Sequence, residues 1–314
     1  MRFLVLGAGA IGGYFGAKLA HGGSDVTFLV RPHRAAQLAD HGLVLKSHEG
    51  ETRTVAKTVQ AGGITAPFDV VLLCCKAYDL PDAIAAIAPA IGPSSAILPF
   101  LNGIRHLDML AERFGPSHVL GGLTAVNAAL GPCGEVVQSP VKVDMTAFGE
   151  TDGNSSDRCA RIAQAFAAAG VKASLSATVL DAMWTKFAAF SAVAAVATLC
   201  RSRAGAIAAA AISGRLVDTA LDETRRVAAA HGLAFPDGVA DMVRGLFSQP
   251  ASAYGPSILV DMEQGQPTEG EHTIGDMVAK ADQHGVAVPV LAAALCNLQV
   301  YENARVVQRS TAAA

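Results

Sequence analysis

A glycine pattern near the N-terminus places the strongest constraint on what this chain can fold into. The segment Gly7-Ala8-Gly9-Ala10-Ile11-Gly12 has the spacing G-x-G-x-x-G, after a short apolar run at residues 3–6 and at the start of a helix-forming stretch, residues 10–20. In such a strand–turn–helix unit, the first glycine permits a tight turn and the second lets backbone approach a pyrophosphate. The third lets the helix pack closely on the strand. The pattern predicts a dinucleotide site formed by Gly7, Ala8, Gly9, Ala10, Ile11 and Gly12; a glycine-rich turn without a dinucleotide is the alternative.

The apolar runs that follow extend this unit into an α/β domain. Runs at residues 26–30, 69–75 and 96–101 have the length of buried parallel strands, and residues 80–91 form a helical stretch between two of them. Residues 43–59 alternate apolar and polar side chains, which is typical of a hairpin or a pair of edge strands. Because parallel strands need crossover connections, this order predicts a Rossmann-type, doubly wound parallel sheet. Further elements are predicted as strands at 119–126 and within 136–148, an amphipathic helix at 157–169 and a strand at 171–175.

Beyond residue 178 the pattern changes to alanine-rich helical stretches, and no clear β-run remains. We therefore predict an NADP-binding domain at residues 1–177 and an all-helical substrate and catalytic domain at residues 178–314. Residues 310–314 are expected to form a loose tail. The most apolar run, residues 187–200, is fourteen residues long. A bilayer requires roughly 20, so a buried core helix is expected there instead of a membrane span.

Composition and charge narrow the classes of partner. Hydrophobic residues make up 51% and charged residues 16% of the 314 residues, which excludes a disordered chain. The formal net charge is −3 and there is no block of like charge, so nucleic-acid binding is disfavoured because counterion release needs clustered cations. The six cysteines have no C-x-x-C spacing and the nine histidines form no pair at metal-ligand spacing. We expect free thiols, no metal site and a cytoplasmic location.

The end of the second predicted strand bears on the choice of dinucleotide. NAD and FAD sites place Asp or Glu there to accept from ribose hydroxyls, whereas Arg accommodates the 2′-phosphate of NADP. Here the strand is followed by Arg31, with Arg34 one helical turn further on, and we expect no carboxylate at this position. Lys76 follows the strand at 69–75 and is expected on the same carboxyl edge of the sheet. These cations predict NADP(H) and argue against a flavin. For each residue taken alone, the alternative is a basic side chain in a loop that is solvated and binds no cofactor.

The helical domain contains a candidate proton donor and several candidate substrate contacts. Lys186 lies at the head of the most apolar helix. A lysine there either extends its ammonium into water or is held in a cleft, where partial burial lowers its pKa toward neutrality and suits it to proton transfer. The residues alone leave both interpretations open. Downstream, Ser257 and Asp261 share one helix face, and Glu269 follows twelve residues after Ser257.

Taken together and in order, these motifs resemble those of the ketopantoate reductase (2-dehydropantoate 2-reductase) family. The resemblance covers residues 1–304 and implies a Rossmann domain followed by a helical domain of the 6-phosphogluconate dehydrogenase type. It implies NADPH-dependent reduction of a 2-oxo acid, ketopantoate to pantoate, and with that substrate a place in pantothenate biosynthesis. It also implies that Lys186 is the general acid, Asn102 lies near nicotinamide and substrate, Ser257 binds the substrate carboxylate and Glu269 engages the substrate. The motifs that carry it are the glycine pattern, Lys76-Ala77, Asn102-Gly103, Trp184-x-Lys186-Phe187, Ser257 with Asp261, and Thr268-Glu269.

Two positions depart from the family pattern. Well-studied members carry asparagines four and eight residues after the lysine, and these contact substrate; here the residues are Phe190 and Ala194. That spacing keeps both on the lysine's side of the helix, which makes them candidate substrate-binding positions. A site that hydrogen-bonds a substrate hydroxyl discriminates strongly, and apolar residues remove that discrimination. Ketopantoate and a 2-oxo acid with a larger or less hydroxylated side chain therefore both stay open. So do a same-fold reductase of another ketone or an imine, a non-catalytic NADP(H)-binding sensor, and a homodimer.

Overall fold

The structure, a computed structural model, describes residues 1–139 and 145–312. The chain divides into two compact units, one formed by Met1–Leu101 with His106–Leu180 and the other by Asn102–Arg105 with the residues from Asp181 onward. Part of the predicted strand region, residues 140–144, and the end of the predicted tail, residues 313–314, lie outside the described residues. The expectation of a loose tail is wrong for residues 310–312, whose backbone continues the last helix.

Five parallel strands form the central sheet of the first unit, which confirms the predicted fold class. Their order is β5-β2-β1-β6-β7, so the order reverses beside β1, and ligands of such sheets bind at that point. The two strands β6 and β7 are buried at every residue, as a sheet covered on both faces requires. The strands are β1 Arg2–Leu6, β2 Asp25–Leu29, β5 Lys57–Val59, β6 Val70–Leu73 and β7 Ala96–Pro99, and two further strands, β3 Leu43–Ser47 and β4 Gly50–Thr54, precede β5.

The remaining strands of this unit form two smaller sheets. Residues 43–54 of the alternating segment fold as an antiparallel hairpin of β3 and β4, as the pattern predicted. Residues 57–59 instead form β5, which pairs with β2 in the central sheet. One small sheet has the order β4-β3-β10-β9 and the other β12-β11-β8. Their further strands are β8 Leu120–Thr124, β9 Ala128–Leu130, β10 Val136–Gln138, β11 Thr146–Glu150 and β12 Ala173–Leu175.

Helices connect the strands of the first unit. The helices α1 Ala10–His21, α3 Leu80–Ile87 and α5 Asp157–Ala168 were expected from the sequence. The helices α2 Pro32–His41 and α4 Arg105–Phe114 were not, because their polar composition lacks a continuous apolar run. Helix α2 begins with a proline at its first turn, a position that suits the fixed φ of proline. Arg31 is the N-cap residue of α2, two residues after the end of β2.

The described residues of the second unit form helices and the turns that connect them, as predicted. Its longest apolar helix, α6 Val179–Cys200, is long and apolar enough by composition to cross a membrane, but 67% of its apolar window is buried inside the protein. This is the expected behaviour of a core helix. The other elements are α7 Ala204–Ala208, α8 Ser213–Ala230, α9 Asp237–Leu246, α10 Ser257–Glu263, a π-helical turn at Glu271–Gly275, α11 Asp276–Gln283 and α12 Pro289–Ala312.

A buried carboxylate anchors the start of α12. Glu223 on α8 has no exposed surface, and its two carboxylate oxygens accept hydrogen bonds of 2.9 Å from the N–H groups of Val290 and Leu291. The first N–H groups of a helix lack hydrogen-bond partners within the helix, and they lie at the positive end of its dipole. A carboxylate at this place accepts their hydrogen bonds and interacts favourably with the dipole. Glu223 thus holds α12 in place, and α12 in turn contacts the site described below.

Candidate active site

The turn between β1 and α1 has the geometry that its glycines predict. Gly7 has a φ of +90°, and a β-carbon on Gly12 would collide with the carbonyl oxygen of Gly7. A β-carbon on Gly9, in contrast, would meet no protein atom within 4 Å. The fold itself therefore explains two of the three glycines, while Gly9 leaves open space at the N-terminus of α1. That space and the N–H groups of the helix start fit a dinucleotide pyrophosphate.

Two arginines lie beside this turn, and each is bound to another part of the unit. The Nη2 of Arg31 donates to Oδ1 of Asp79 at 2.7 Å. The Nε of Arg34 donates to the carbonyl oxygen of Ala8 at 2.9 Å, and its buried Nη2 has no hydrogen-bond partner among the described residues. Arg34 thus holds the glycine turn itself and keeps one buried donor unused.

The expectation of no carboxylate at the end of β2 is wrong. Asp79 lies 48 residues after Arg31, in the short 3₁₀ turn Ala77–Asp79 that follows β6. The carboxyl ends of parallel strands meet on one edge of the sheet, so the segment after β6 brings a carboxylate to the residue that follows β2. Lys76, half-buried, directly precedes the same turn. The hydrogen bond and the charge of Asp79 raise the pKa of Arg31 above its usual value, so the arginine stays charged.

In the helical unit, three of the predicted site residues meet. The Nζ of Lys186 donates to Oδ1 of Asn102 at 3.2 Å, and Nδ2 of Asn102 donates to Oε2 of Glu269 at 3.4 Å. The amide orientation follows from its neighbours, since its oxygen faces an ammonium and its N–H faces a carboxylate. Asn102 therefore links a cation and an anion that come from distant parts of the chain.

Burial sets the protonation behaviour of this group. Burial lowers the pKa of Lys186 to about 8, and the negative charge of Glu269 opposes part of that shift. Glu269 is only 5% exposed, which keeps its charge close to the ammonium in a weakly screened environment. Of the two interpretations of Lys186, the geometry is that of a lysine held by partners within the protein. A lysine with this pKa exchanges its proton readily near neutral pH.

The segment around Glu269 is held from both sides. The N–H of Thr268 donates to Oε1 of Glu302 on α12 at 2.7 Å. The hydroxyl of Thr273 donates to the carbonyl oxygen of Glu269 at 2.8 Å. Thr273 belongs to the π-helical turn Glu271–Gly275, a rare geometry that is frequent at functional sites. These bonds restrict the backbone that carries the carboxylate.

His272 is a neighbour of the site that sequence reasoning missed. It is 8% exposed, and burial together with the charge of Arg105 lowers its pKa to about 4, so its ring is neutral at physiological pH. A β-carbon on Gly103 would lie 2.9 Å from the carbonyl oxygen of His272 and 3.2 Å from its ring. Gly103 also has a φ of +79°. His272 and the Asn102-Gly103 turn therefore pack closely, and the spacing of His272 three residues after Glu269 was the only signal for it.

The other predicted substrate residues occupy separate positions on the helices. Phe190 lies one turn after Lys186 on α6 and is half-buried, whereas Ala194 has no exposed surface. Of the two departures from the family pattern, only Phe190 therefore offers surface to a ligand. Ser257 is the first residue of α10, and both it and Asp261 are half-buried. The roles of these residues stay predictions.

The cysteines and the metal-ligating side chains are further reactive groups of the chain. None of the six cysteines, all of which lie within the described residues, forms a disulfide. Cys74 and Cys75 are only partly exposed and lie just after the end of β6. Residues 1–139 and 145–312 contain no group of three or more His, Cys, Asp or Glu side chains suited to hold a metal ion.

A Rossmann-type unit followed by a helical unit that presents a lysine, an amide and a carboxylate defines a class of nicotinamide-dependent oxidoreductases. The comparison with protein families is more specific. The family model described as "Ketopantoate reductase PanE/ApbA" matches residues 3–153, and that for its C-terminal domain matches residues 178–302. The chain belongs to the ketopantoate reductase family.

Individual relatives extend this result along nearly the whole chain. The uncharacterised oxidoreductase YkpB of Bacillus subtilis (strain 168) is 35% identical over 302 residues, which cover 96% of this chain and 99% of the relative. The structure of 2-dehydropantoate 2-reductase from Geobacter metallireducens GS-15 matches with a TM-score of 0.86 at 28% identity, covering 95% and 99% of the two chains. A D-mandelate dehydrogenase solved with NADH and anilino(oxo)acetate shares the fold, with a TM-score of 0.86 at 20% identity and coverage of 97% and 99%.

Proposed function

We propose that the protein reduces a 2-oxo acid to the 2-hydroxy acid with NADPH, in the manner of a 2-dehydropantoate 2-reductase. The observation that carries this proposal is the hydrogen-bonded group of Lys186, Asn102 and Glu269 in the helical unit. A proton donor with a pKa near neutrality, next to a neutral amide and a buried carboxylate, suits carbonyl reduction. We assign residues 1–177 to cofactor binding and residues 178–314 to substrate binding and catalysis.

The chain's own residues supply the binding and proton-transfer parts of this reaction. The N–H groups of the turn from Gly7 to Gly12 would hold the pyrophosphate, and Arg31 and Lys76 the 2′-phosphate. When bound, the dihydronicotinamide supplies the hydride. As hydride reaches the keto carbon, negative charge develops on the keto oxygen, and protonated Lys186 stabilises that charge and then donates its proton to it.

The other site residues orient this chemistry. Asn102 accepts a hydrogen bond from one N–H of the Lys186 ammonium. This contact orients the remaining N–H groups, one of which gives its proton to the substrate. Glu269 keeps Lys186 protonated at neutral pH by its charge and accepts from Asn102. Ser257 supplies a hydroxyl donor for the substrate carboxylate.

The activity should depend on pH through Lys186. The reduction requires the protonated lysine, which is fully present below its pKa of about 8 and is lost as pH rises through that value. We expect kcat/KM for reduction to be level below about pH 7 and to fall about tenfold per pH unit above pH 9. The reverse oxidation requires the neutral amine and should rise over the same range. A pH–rate profile in both directions, measured by nicotinamide absorbance, tests this expectation. A reduction rate that is unchanged from pH 7 to pH 10 would contradict it.

Phe190 favours a 2-oxo acid with an apolar side chain over ketopantoate itself. The residue is half-buried and lies one helical turn from Lys186, where the family pattern has a hydrogen-bonding asparagine. We expect Phe190→Asn to raise kcat/KM for ketopantoate relative to an aromatic 2-oxo acid by about tenfold, the factor that one hydrogen bond of ~1.4 kcal/mol provides.

The matched control is Phe190→Leu, which makes the side chain smaller and leaves the position apolar. This variant should change kcat/KM for both substrates without raising the value for ketopantoate relative to that for the aromatic 2-oxo acid. If wild-type protein already uses ketopantoate best and Phe190→Asn leaves the ratio unchanged, ketopantoate is the substrate, and a place in pantothenate biosynthesis follows.

A further inference from the structure

Asp79 brings a carboxylate to the arginine that follows β2, and this pair is open to solvent. The side chain of Arg31 is 75% exposed and that of Asp79 is 31% exposed, with 2.7 Å between Nη2 and Oδ1. An ion pair with that exposure contributes little to folding stability. Its position at the carboxyl edge of the sheet, beside the dinucleotide turn, therefore matters more than its strength.

We propose that Asp79 is a specificity-determining residue that reduces the protein's preference for NADPH and lets it accept NADH as well. The inference rests on the proposed function in one respect, that the adenosine ribose lies at Arg31. In an NADH complex, the Asp79 carboxylate is an acceptor for the ribose 2′-hydroxyl, the role that Asp or Glu fills in NAD sites. In an NADPH complex, the 2′-phosphate and Asp79 compete for the same guanidinium.

Electrostatic repulsion makes Asp79 unfavourable for the binding of NADPH. The 2′-phosphate carries up to two negative charges and gains most from an arginine that has no other anionic partner. Asp79 occupies one donor of Arg31, and its own charge repels a phosphate at that distance. Asp82, at the start of α3, adds a further negative charge that also raises the pKa of Arg31. Asp79, which also makes the hydrogen bond to Arg31, has the larger effect on this arginine, and Asp82 has the smaller one.

Other cations near the turn keep NADPH binding favourable. Arg34 is bound to the carbonyl oxygen of Ala8 and retains a buried Nη2 without a partner among the described residues. Lys76 directly precedes the turn that carries Asp79. Arg34 and Lys76 thus add positive charge beside the turn, and Arg34 has a donor left for a phosphate. We therefore expect the protein to bind NADPH more tightly than NADH, and we expect Asp79 to make the difference between the two affinities smaller.

Binding measurements on isosteric variants test this inference without using turnover. Dissociation constants for NADPH and NADH are measured by nucleotide fluorescence on wild type, Asp79→Asn and the matched control Asp82→Asn. Asp79→Asn keeps the shape of the side chain but removes its charge. We expect it to tighten NADPH binding about tenfold and to weaken NADH binding several-fold, whereas Asp82→Asn changes both by less than about twofold. Circular dichroism and Tm confirm that each variant is folded.

The arginine itself provides the second arm. In an Arg31→Ala background, Asp79→Asn should no longer tighten NADPH binding, because the competition is for that guanidinium. An unchanged NADPH-to-NADH ratio in Asp79→Asn, or equal shifts in Asp79→Asn and Asp82→Asn, would overturn the inference and leave the proposed reaction untouched. If wild type instead binds NADH alone, the proposed cofactor is wrong. The inference about Asp79 then still requires that Asp79→Asn gain measurable NADPH binding.

Discussion

Lys186→Met should reduce kcat for 2-oxo acid reduction by at least ~10²-fold, the usual contribution of a general acid. Methionine keeps an apolar stem of similar length on α6 but removes both the ammonium charge and the proton. The developing negative charge on the keto oxygen then has neither a donor nor a cation to stabilise it. The affinity for NADPH should change by less than about twofold, because the pyrophosphate and 2′-phosphate contacts are assigned to residues of the other unit.

The helical unit offers a second lysine as the matched control. Lys280 on α11 lies 3.7 Å from Asp276 and 5.5 Å from the Trp184 ring centroid, and no part of the proposed reaction uses it. Lys280→Met should retain kcat within about threefold. Similar losses in kcat for both variants would show that the loss reflects the folding of the unit. A wild-type kcat in Lys186→Met would contradict the assignment of the acid.

Gly12→Ala should lower the stability of the protein, whereas Gly9→Ala should lower its affinity for the dinucleotide, although the two glycines lie three residues apart in one motif. A methyl group on Gly12 collides with the carbonyl oxygen of Gly7 and lies 3.1 Å from the Cys74 β-carbon. Overpacking of this kind costs about 3 kcal/mol, and we expect Tm to fall by roughly 6–12 °C. A methyl group on Gly9 meets no protein atom within 4 Å. Tm should therefore stay within about 2 °C, while dinucleotide affinity falls at least about tenfold because the methyl obstructs the pyrophosphate.

Thermal unfolding and fluorescence titration with NADPH measure the two effects separately. Each variant serves as the control for the other, since both replace glycine by alanine at the start of the same helix. Gly9→Ala with wild-type affinity would mean that the dinucleotide does not approach this turn. A large fall in Tm for Gly9→Ala would mean that the glycine serves the fold instead.

Periodicity alone predicted most of the fold, because buried strands and apolar helices leave a regular pattern in the residues. The strands β1, β2, β6 and β7 were recognisable as short apolar runs, and the hairpin of β3 and β4 as an alternating segment. Helix α4 was missed although Leu107, Leu110, Ala111 and Phe114 form an apolar stripe at helical spacing, which packs against the sheet. Helix α2 was missed because it is mostly polar, and its contacts with the core are made by Ala35 and Leu38.

The candidate site was less accessible to local reasoning, since its members are far apart in the chain. Asn102 is 84 residues from Lys186 and 167 residues from Glu269, so their grouping was expected from a family resemblance and not from spacing. The pairing of Arg31 with Asp79 was missed for the same reason, because the two residues follow different strands and lie 48 residues apart. His272 was missed because its one signal, a position three residues after Glu269, is too common to single out a histidine.

A single-turnover reaction with deuterated cofactor tests the central claim most directly. Protein in excess over NADPH deuterated at C4 of the nicotinamide is mixed with ketopantoate and with a panel of aliphatic and aromatic 2-oxo acids. The absorbance of the reduced nicotinamide and the mass of the product are then followed. We predict that at least one 2-oxo acid discharges the absorbance completely and yields a 2-hydroxy acid with deuterium at C2, and that Lys186→Met slows this step at least ~10²-fold. Stable absorbance with every 2-oxo acid, while the protein binds NADPH, would contradict the account.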